Sequence, residues 1–150
     1  MADPVLASDK LFATWCVMVH ARPVLVRALR AWGLGTAAHA LERAASLTAL
    51  RMVALDADAD VRKTIRFVPL RRDLSKALNT LHAAATFASR GDSANTAVVV
   101  IGVFTNASSA LAWRRPWRRL SWRRQRAEVI ANARREQSAY RADQGLAPHD

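Results

Sequence analysis

The sequence predicts an all-α protein with about five to six helices, and two observations lead to that fold class. Apolar residues recur at steps of three and four between glycine and proline punctuation, which is typical of amphipathic helices. The β-branched run 98–101 would suit a strand, but the chain offers no second strong strand to pair with it. Because an isolated strand would leave its backbone hydrogen bonds unmade, this run is also predicted to be helical.

The charge balance narrows the class of binding partner. The 150 residues contain 23 basic and 12 acidic side chains, which gives a net charge of +11. Twenty of the basic residues are arginine, whose planar guanidinium pairs with phosphate or carboxylate through two hydrogen bonds. Anionic partners are therefore expected, although a genome rich in G and C also enriches arginine. Cys16 is the single cysteine, which excludes an intramolecular disulfide and a cysteine-based metal site.

Residues 1–92 are predicted to form an Ala-rich helical region. Asp9 is placed to cap a first helix over 10–20, and Pro23 either kinks that helix or starts a second one. The second helix is expected to end at the two glycines of 33–35, since glycine adopts the left-handed backbone of a helix stop.

Three further helices are expected before residue 92. Thr36 opens a long amphipathic helix, a short one covers 60–67 before Pro69, and Asp73 caps the clearest helix, which ends at Gly91. The predicted apolar stripe of the long helix is Leu41, Ala45, Thr48, Met52 and Leu55. The predicted stripe of the clearest helix is Leu74, Ala77, Leu78, Leu81, Ala85 and Ala88.

Residues 93–113 form the most apolar segment of the chain and are its candidate transmembrane helix. These 21 residues carry no charge, and about 20 residues cross a hydrocarbon layer roughly 30 Å thick. Five polar residues lower the hydropathy: Asn95, Thr105, Asn106, Ser108 and Ser109. The helix, about 95–113, is therefore either a marginal membrane span or a deeply buried helix of a soluble bundle.

The segment 113–126, WRRPWRRLSWRRQR, holds seven arginines and three tryptophans without an acidic residue. Pro116 fits the first turn of a terminal helix over 117–141, so 114–150 is predicted to be a basic helix and tail. The arginines predicted to contact lipid headgroups or other phosphates are Arg114, Arg115, Arg118, Arg119, Arg123, Arg124 and Arg126. The tryptophans predicted to lie at the membrane interface are Trp113, Trp117 and Trp122.

Lipid and RNA both suit this arginine segment. A tryptophan and leucine stripe within a coat of arginine is typical of a helix lying at a lipid interface. Arginine can equally pair with RNA phosphates while tryptophan stacks on exposed bases. The uncharged segment 93–113 leads directly into the arginines, and since RNA binding does not require such a segment, the lipid interpretation is favoured.

No motif in the chain predicts catalysis or a metal site. The acidic run 56–60 lacks the glycine and the glutamate of a calcium-binding loop, and the four histidines have no metal-ligand spacing. The run 90–93, RGDS, is expected to close one helix and open the next. Cys16 and His20 share a helix face, but they have no third group to orient them. No catalytic, cofactor-binding or metal-binding residue is therefore predicted, and the protein is predicted not to be an enzyme.

The N-terminal region adds a hint about location. Between Lys10 and Arg51 six bases stand against the single acid Glu42, a balance typical of organelle transit segments and also of ordinary basic helices. With one marginal span and a basic helix after it, this arrangement resembles that of small accessory subunits of mitochondrial inner-membrane complexes. The resemblance is one of architecture and covers no motif.

These observations lead to two hypotheses of function. The first is a non-catalytic accessory subunit of a large complex of the mitochondrial inner membrane, either the respiratory chain or ATP synthase. Its partners would be other protein subunits and an anionic lipid such as cardiolipin, with no cofactor and no small-molecule substrate. The alternative is an RNA-binding protein of a ribosome-like particle.

Overall fold

The computed structural model describes residues 4–143 and 145, and its elements there are all helical. In chain order they are α1 Pro4–Trp15, a π-helical segment Cys16–Ala21, α2 Arg22–Ala31, α3 Gly35–Arg43, α4 Leu47–Thr64, α5 Val68–Ser89, α6 Ser93–Ala112 and α7 Pro116–Asp143. The first three run on without a break, so the described part holds six separate helices. Since it contains no strand, the predicted all-α fold class is confirmed.

The chain divides into two compact units, an N-terminal unit of residues 1–112 and a C-terminal unit of residues 113–150. Helices α1 to α6 belong to the first unit, and α7 belongs to the second. The segments 1–92, 93–113 and 114–150 were defined by composition, so this division by packing does not test them.

The N-terminal rod consists of α1, the π-helical segment and α2. α1 begins at Pro4, so Asp9 lies inside the helix, and the prediction that Asp9 caps it is wrong. Pro23 lies in the first turn of α2, directly after the π-helical segment. A proline has no backbone N–H and its ring clashes with the carbonyl four residues earlier. The wider π turn gives that region a different hydrogen-bond pattern, so the rod continues through the proline.

The predicted long helix from Thr36 is in fact two helices, because the chain breaks between α3 and α4. The guanidinium of Arg22 donates to the carbonyl oxygens of Ala44, at 2.7 Å, and Leu41, at 3.4 Å, and so caps the end of α3 from another helix. Ser46 then caps α4, since its hydroxyl oxygen accepts from the backbone N–H of Ala49 at 3.1 Å. The break changes the helical register. Of the predicted stripe only Leu41 is buried, whereas Ala45, Thr48, Met52 and Leu55 are exposed.

Helices α4 and α5 also differ from their predicted limits. There is no separate helix over 60–67, because α4 continues to Thr64 and α5 begins at Val68. Pro69 lies in the first turn of α5, where a missing N–H costs nothing, and so it helps to start this helix. Asp73 is therefore an internal residue and does not cap the helix.

The core of the N-terminal unit lies mainly between α5 and its neighbours α4 and α6. The predicted stripe of α5 is confirmed, because its six members Leu74, Ala77, Leu78, Leu81, Ala85 and Ala88 are all buried. Facing residues of α6 are small or β-branched, and a Cβ added at Gly102 would lie 3.1 Å from Cγ2 of Thr80. α5 and α6 therefore approach closely along an interface of small side chains.

Candidate functional site

One face of α6 is apolar and exposed. Thr96, Val100, Val103, Ala107 and Ala110 point into the N-terminal unit and are buried. On the other side Val98 and Ile101 are 68% and 65% exposed, and Phe104 is also exposed. These three residues follow one another at steps of three, so they lie on one stripe of the helix. A contiguous apolar stripe at the surface is typical of a site of contact with another protein or a membrane.

Two helical stretches of the described residues are long and apolar enough to cross a membrane, judged by length and composition. They are Ser8–Ala31 within the N-terminal rod and Ser93–Ala112, which is α6. A core helix of a soluble protein, which is mostly buried, and a signal sequence near the N-terminus pass the same test, and Ser8–Ala31 lies near the N-terminus. Only 39% of the apolar window of the rod and 28% of that of α6 are buried within the protein.

The polar side chains near these apolar faces bond to their own helix backbone. On α6 the hydroxyl of Thr105 donates to the carbonyl of Ile101 at 2.9 Å, and the amide of Asn106 donates to that of Gly102 at 2.9 Å. In α1 the hydroxyl of Thr14 donates to the carbonyl of Lys10 at 2.7 Å. Each of these bonds satisfies a donor without water, which lowers the cost of placing such a face in an apolar environment.

The N-terminal rod carries a second exposed apolar face, which the sequence reasoning missed. Leu11, Phe12, Trp15 and Val19 are all exposed, and α1 and the π-helical segment pack against α6. The available signal in the sequence was the uncharged run 11–21. Two neighbouring helices therefore both expose apolar residues.

Two hydrogen bonds bring three helix ends to one end of the N-terminal unit. The indole Nε1 of Trp32, just after α2, donates to the carbonyl oxygen of Ala110 in the last turn of α6 at 2.9 Å. Ser109 Oγ donates to Asp73 Oδ2, near the start of α5, at 2.6 Å. We call this end the basic end, because Arg30, Arg71 and Arg72 lie within two residues of these contacts in the sequence.

The arginine segment 113–126 lies in the C-terminal unit. Its described arginine side chains are exposed, namely those of Arg114, Arg115, Arg123, Arg124 and Arg126. The structure buries Trp113, which was predicted to be an interface aromatic. The side chains of Trp117, Arg118, Arg119 and Trp122 lie outside the described residues. α7 spans Pro116–Asp143, so the predicted terminal helix over 117–141 with Pro116 in its first turn is confirmed, and Arg114 and Arg115 precede it.

The described side chains bring together no recognisable catalytic or metal-binding cluster. The rings of His20 and Trp15 are nearly perpendicular, with 4.3 Å between their centroids, while Cys16 is half-buried. No group of three or more His, Cys, Asp or Glu that could hold a metal ion occurs among the residues described. No protein-family model, curated protein or solved structure matches the chain.

Proposed function

We propose that this protein is a non-catalytic helical subunit of a membrane-embedded assembly. In this proposal α6 lies in the hydrocarbon layer and the arginine segment contacts anionic headgroups at its rim. Neighbouring protein subunits would cover part of the exposed apolar surface. The mitochondrial inner membrane is the location proposed from the sequence.

The observation that carries the proposal is the exposed face of α6. Val98 and Ile101 would each cost about 1 kcal/mol or more in water relative to a buried site. Both residues lie on one stripe of α6, the most apolar of the described helices. Contact with lipid or with an apolar partner removes this free-energy cost. Thr105 can enter the same apolar environment, because its hydroxyl bonds to the backbone of its own helix.

The distribution of charge supports the same arrangement. The basic end joins the last turn of α6 to the start of α5, where Arg71 and Arg72 lie. In the sequence the arginine segment begins directly after Ala112, the last residue of α6. Basic residues concentrated after one end of a span are typical of the side that stays in the cytoplasm or matrix.

RNA binding is the second candidate function, since the exposed Arg123, Arg124 and Arg126 can also contact RNA phosphates. RNA binding does not account for the exposed apolar stripe of α6, and we therefore favour the membrane function. The two functions predict different cell fractions: the membrane pellet for a membrane subunit, and RNA-containing particles for an RNA-binding protein.

The test is fractionation of cells that express the full chain, with an alkaline carbonate wash and a nuclease treatment in parallel. The membrane proposal expects the protein to stay in the carbonate pellet and to be insensitive to nuclease. Release by carbonate would contradict it. Sedimentation with RNA that is lost on nuclease treatment would establish the alternative.

A further inference from the structure

A cavity of about 350 Å³ lies between α2 and α3, away from the arginine segment in sequence. Its lining residues are Arg22, Pro23, Val26, Arg27, Arg30 and Glu42. We call it the α2–α3 pocket. Three guanidinium groups face one carboxylate there, so the lining carries a formal charge of +2. The five residues from α2 lie on one helix face, because they are separated by steps of one, three and four.

The hydrogen bonds of Arg22 hold its guanidinium in place. Its Nη1 makes both bonds to the end of α3, at 2.7 Å to the Ala44 oxygen and 3.4 Å to the Leu41 oxygen. Arginine has five N–H donors, and the described residues supply no acceptor to its Nε and Nη2. A group that is already fixed loses little conformational entropy when it binds a ligand.

The other two arginines differ in their partners. Arg30 forms an ion pair with Glu42 across the pocket, which neutralises one of the three positive charges. Arg27 is exposed and forms no ion pair or hydrogen bond with the described residues. Arg22 and Arg27 therefore face a shared space whose one lining carboxylate, that of Glu42, is paired with Arg30.

A phosphate group fits this arrangement in charge and in hydrogen-bonding chemistry. A phosphate monoester carries nearly two negative charges at neutral pH, which matches the charge of the lining. Arginine binds phosphate oxygens through paired N–H donors. Pro23 and Val26 supply an apolar wall beside the cations, and that wall suits the carbon skeleton attached to the phosphate.

The position of the pocket along the rod indicates where such a group would come from. Arg27 precedes Trp32 by five residues, which is about 7.5 Å of helix rise. Trp32 lies at the basic end of the N-terminal unit. If α6 crosses the membrane as proposed, the pocket begins near the headgroups at Arg30, two residues before Trp32, and extends along the rod away from that layer.

We infer that the α2–α3 pocket binds a phosphate group of an anionic phospholipid, with Arg22 and Arg27 as its main ligands. The lipid as the source of that phosphate rests on the proposed membrane function, whereas the binding of phosphate does not. Glu42 tunes the site, because its carboxylate repels the ligand and holds Arg30.

The test uses the full chain in detergent and in vesicles. Two probes distinguish free phosphate from a lipid headgroup as the ligand. Binding of inorganic phosphate at constant ionic strength is measured as a shift in melting temperature. Binding to phosphatidylcholine vesicles with or without phosphatidic acid is measured by flotation. Arg27→Gln is compared with Arg43→Gln, an exposed arginine of α3 outside the pocket. Both variants lose one positive charge, so a difference between them reports the site and not the net charge.

We expect Arg27→Gln to weaken the preference for phosphatidic acid about tenfold relative to Arg43→Gln, equivalent to about 1.4 kcal/mol. Glu42→Gln should strengthen it, whereas Asp60→Asn, an exposed acid of α4 with the same charge change, should have a smaller effect. Arg27→Lys should recover part of the loss. Circular dichroism confirms that each variant is folded before it is compared.

The outcomes separate the two proposals. The inference about the pocket is wrong if Arg27→Gln behaves like Arg43→Gln, and Glu42→Gln like Asp60→Asn, with both inorganic phosphate and vesicles. Insertion into neutral vesicles with that result would leave the membrane function intact. If inorganic phosphate binds through Arg27 but no vesicle retains the protein, the pocket is a site for free phosphate, and the membrane function and the lipid source both fail.

Discussion

The side chain of Trp32 reaches the carbonyl oxygen of Ala110, 78 residues later in the chain, with an N···O distance of 2.9 Å. Ala110 is one of the last four residues of α6, whose carbonyls have no partner within the helix. The indole therefore satisfies an acceptor that would otherwise need water. This bond fixes the end of the N-terminal rod to the end of the proposed span.

Replacing Trp32 by Phe should destabilise the N-terminal unit. The phenyl ring keeps most of the apolar contact but leaves the Ala110 oxygen without its donor, which costs about 1–3 kcal/mol. Thermal unfolding in detergent, followed by circular dichroism, measures the change. Trp15→Phe is the matched control, because Trp15 is an exposed ring in α1. Equal melting temperatures for the two variants would contradict the role of the bond.

Local patterns in the sequence were sufficient to predict part of this fold. The stripe of α5 could be predicted because its residues bury a continuous face at helical spacing, and Gly91 provides the stop with its positive φ of 73°. The run 90–93 also separates α5 from α6 as predicted. These features depend on residues within one or two turns of each other.

The features that were missed depend on contacts between distant segments. The break after α3 is held by Arg22, about twenty residues earlier, and Asp73 accepts from Ser109 instead of capping α5. No local pattern contains either contact. Met52 and Leu55 occur at helical spacing, but the register after the break turns them outward.

The candidate site was predicted only where it depends on consecutive residues and not on contacts between distant segments. Composition located the apolar segment and the arginine segment, since both are runs of consecutive residues. The α2–α3 pocket needs Glu42 of α3 beside three arginines of α2, and only the fold brings them together. Trp113 was assigned to the membrane interface by its position next to the apolar run, whereas its burial is a tertiary property.

Gly102 should tolerate alanine but not a large side chain. An added Cβ lies 3.1 Å from Thr80 Cγ2, so Ala needs a small shift that offsets its helix propensity gain of about 1 kcal/mol. Leu at this position would push α5 from α6 and cost about 1–3 kcal/mol. Gly35→Ala is the control, because nothing lies within 4 Å of its added Cβ. Chemical unfolding of the three variants measures these differences, and a fully stable Gly102→Leu variant would contradict the close packing.

His82 should make the fold less stable in mildly acidic solution. Burial lowers the pKa of its imidazole, and the positive charge of Arg51 lowers it further. The unfolded chain therefore takes up a proton at a higher pH than the folded chain, and stability falls as the pH drops below the usual imidazole range. His82→Gln should reduce this pH dependence, whereas His39→Gln, an exposed residue of α3, should retain it. Melting temperatures measured across that range provide the test.

Asp92 should stabilise the fold at all but strongly acidic pH. Hydrogen bonds from the backbone N–H of Asn95 and from its side-chain amide hold the pKa of the Asp92 carboxyl below its usual range. The stabilisation is complete above the usual carboxyl range and is lost as the pH falls through the lowered pKa. Asp92→Asn should remove this acid transition while keeping an acceptor for the cap of α6. An unchanged pH profile of the melting temperature in this variant would contradict the assignment.

The arginine segment should contribute to assembly and not to folding of the N-terminal unit. Changing Arg118, Arg119, Arg123 and Arg124 together to Gln removes four charges from α7, in the C-terminal unit. We expect weaker incorporation into the native complex, because each basic residue near an anionic surface contributes about 1 kcal/mol. The helix content by circular dichroism should stay unchanged. Native gels of membranes that express each form provide the comparison, and normal assembly of the variant would exclude this role.

The exposed stripe of α6 should determine membrane retention. Replacing Val98 and Ile101 by Lys places two charges on the face proposed to contact lipid, and a charge near the middle of a span, where Ile101 lies, costs roughly 2.5–3.5 kcal/mol. Both positions are exposed, so the N-terminal unit should still fold. We therefore expect the variant to appear in the carbonate supernatant in a folded form. Ala59→Lys, at an exposed position of α4, should remain in the pellet. Retention of the double variant would show that another surface, such as the face of Leu11 and Phe12, anchors the protein.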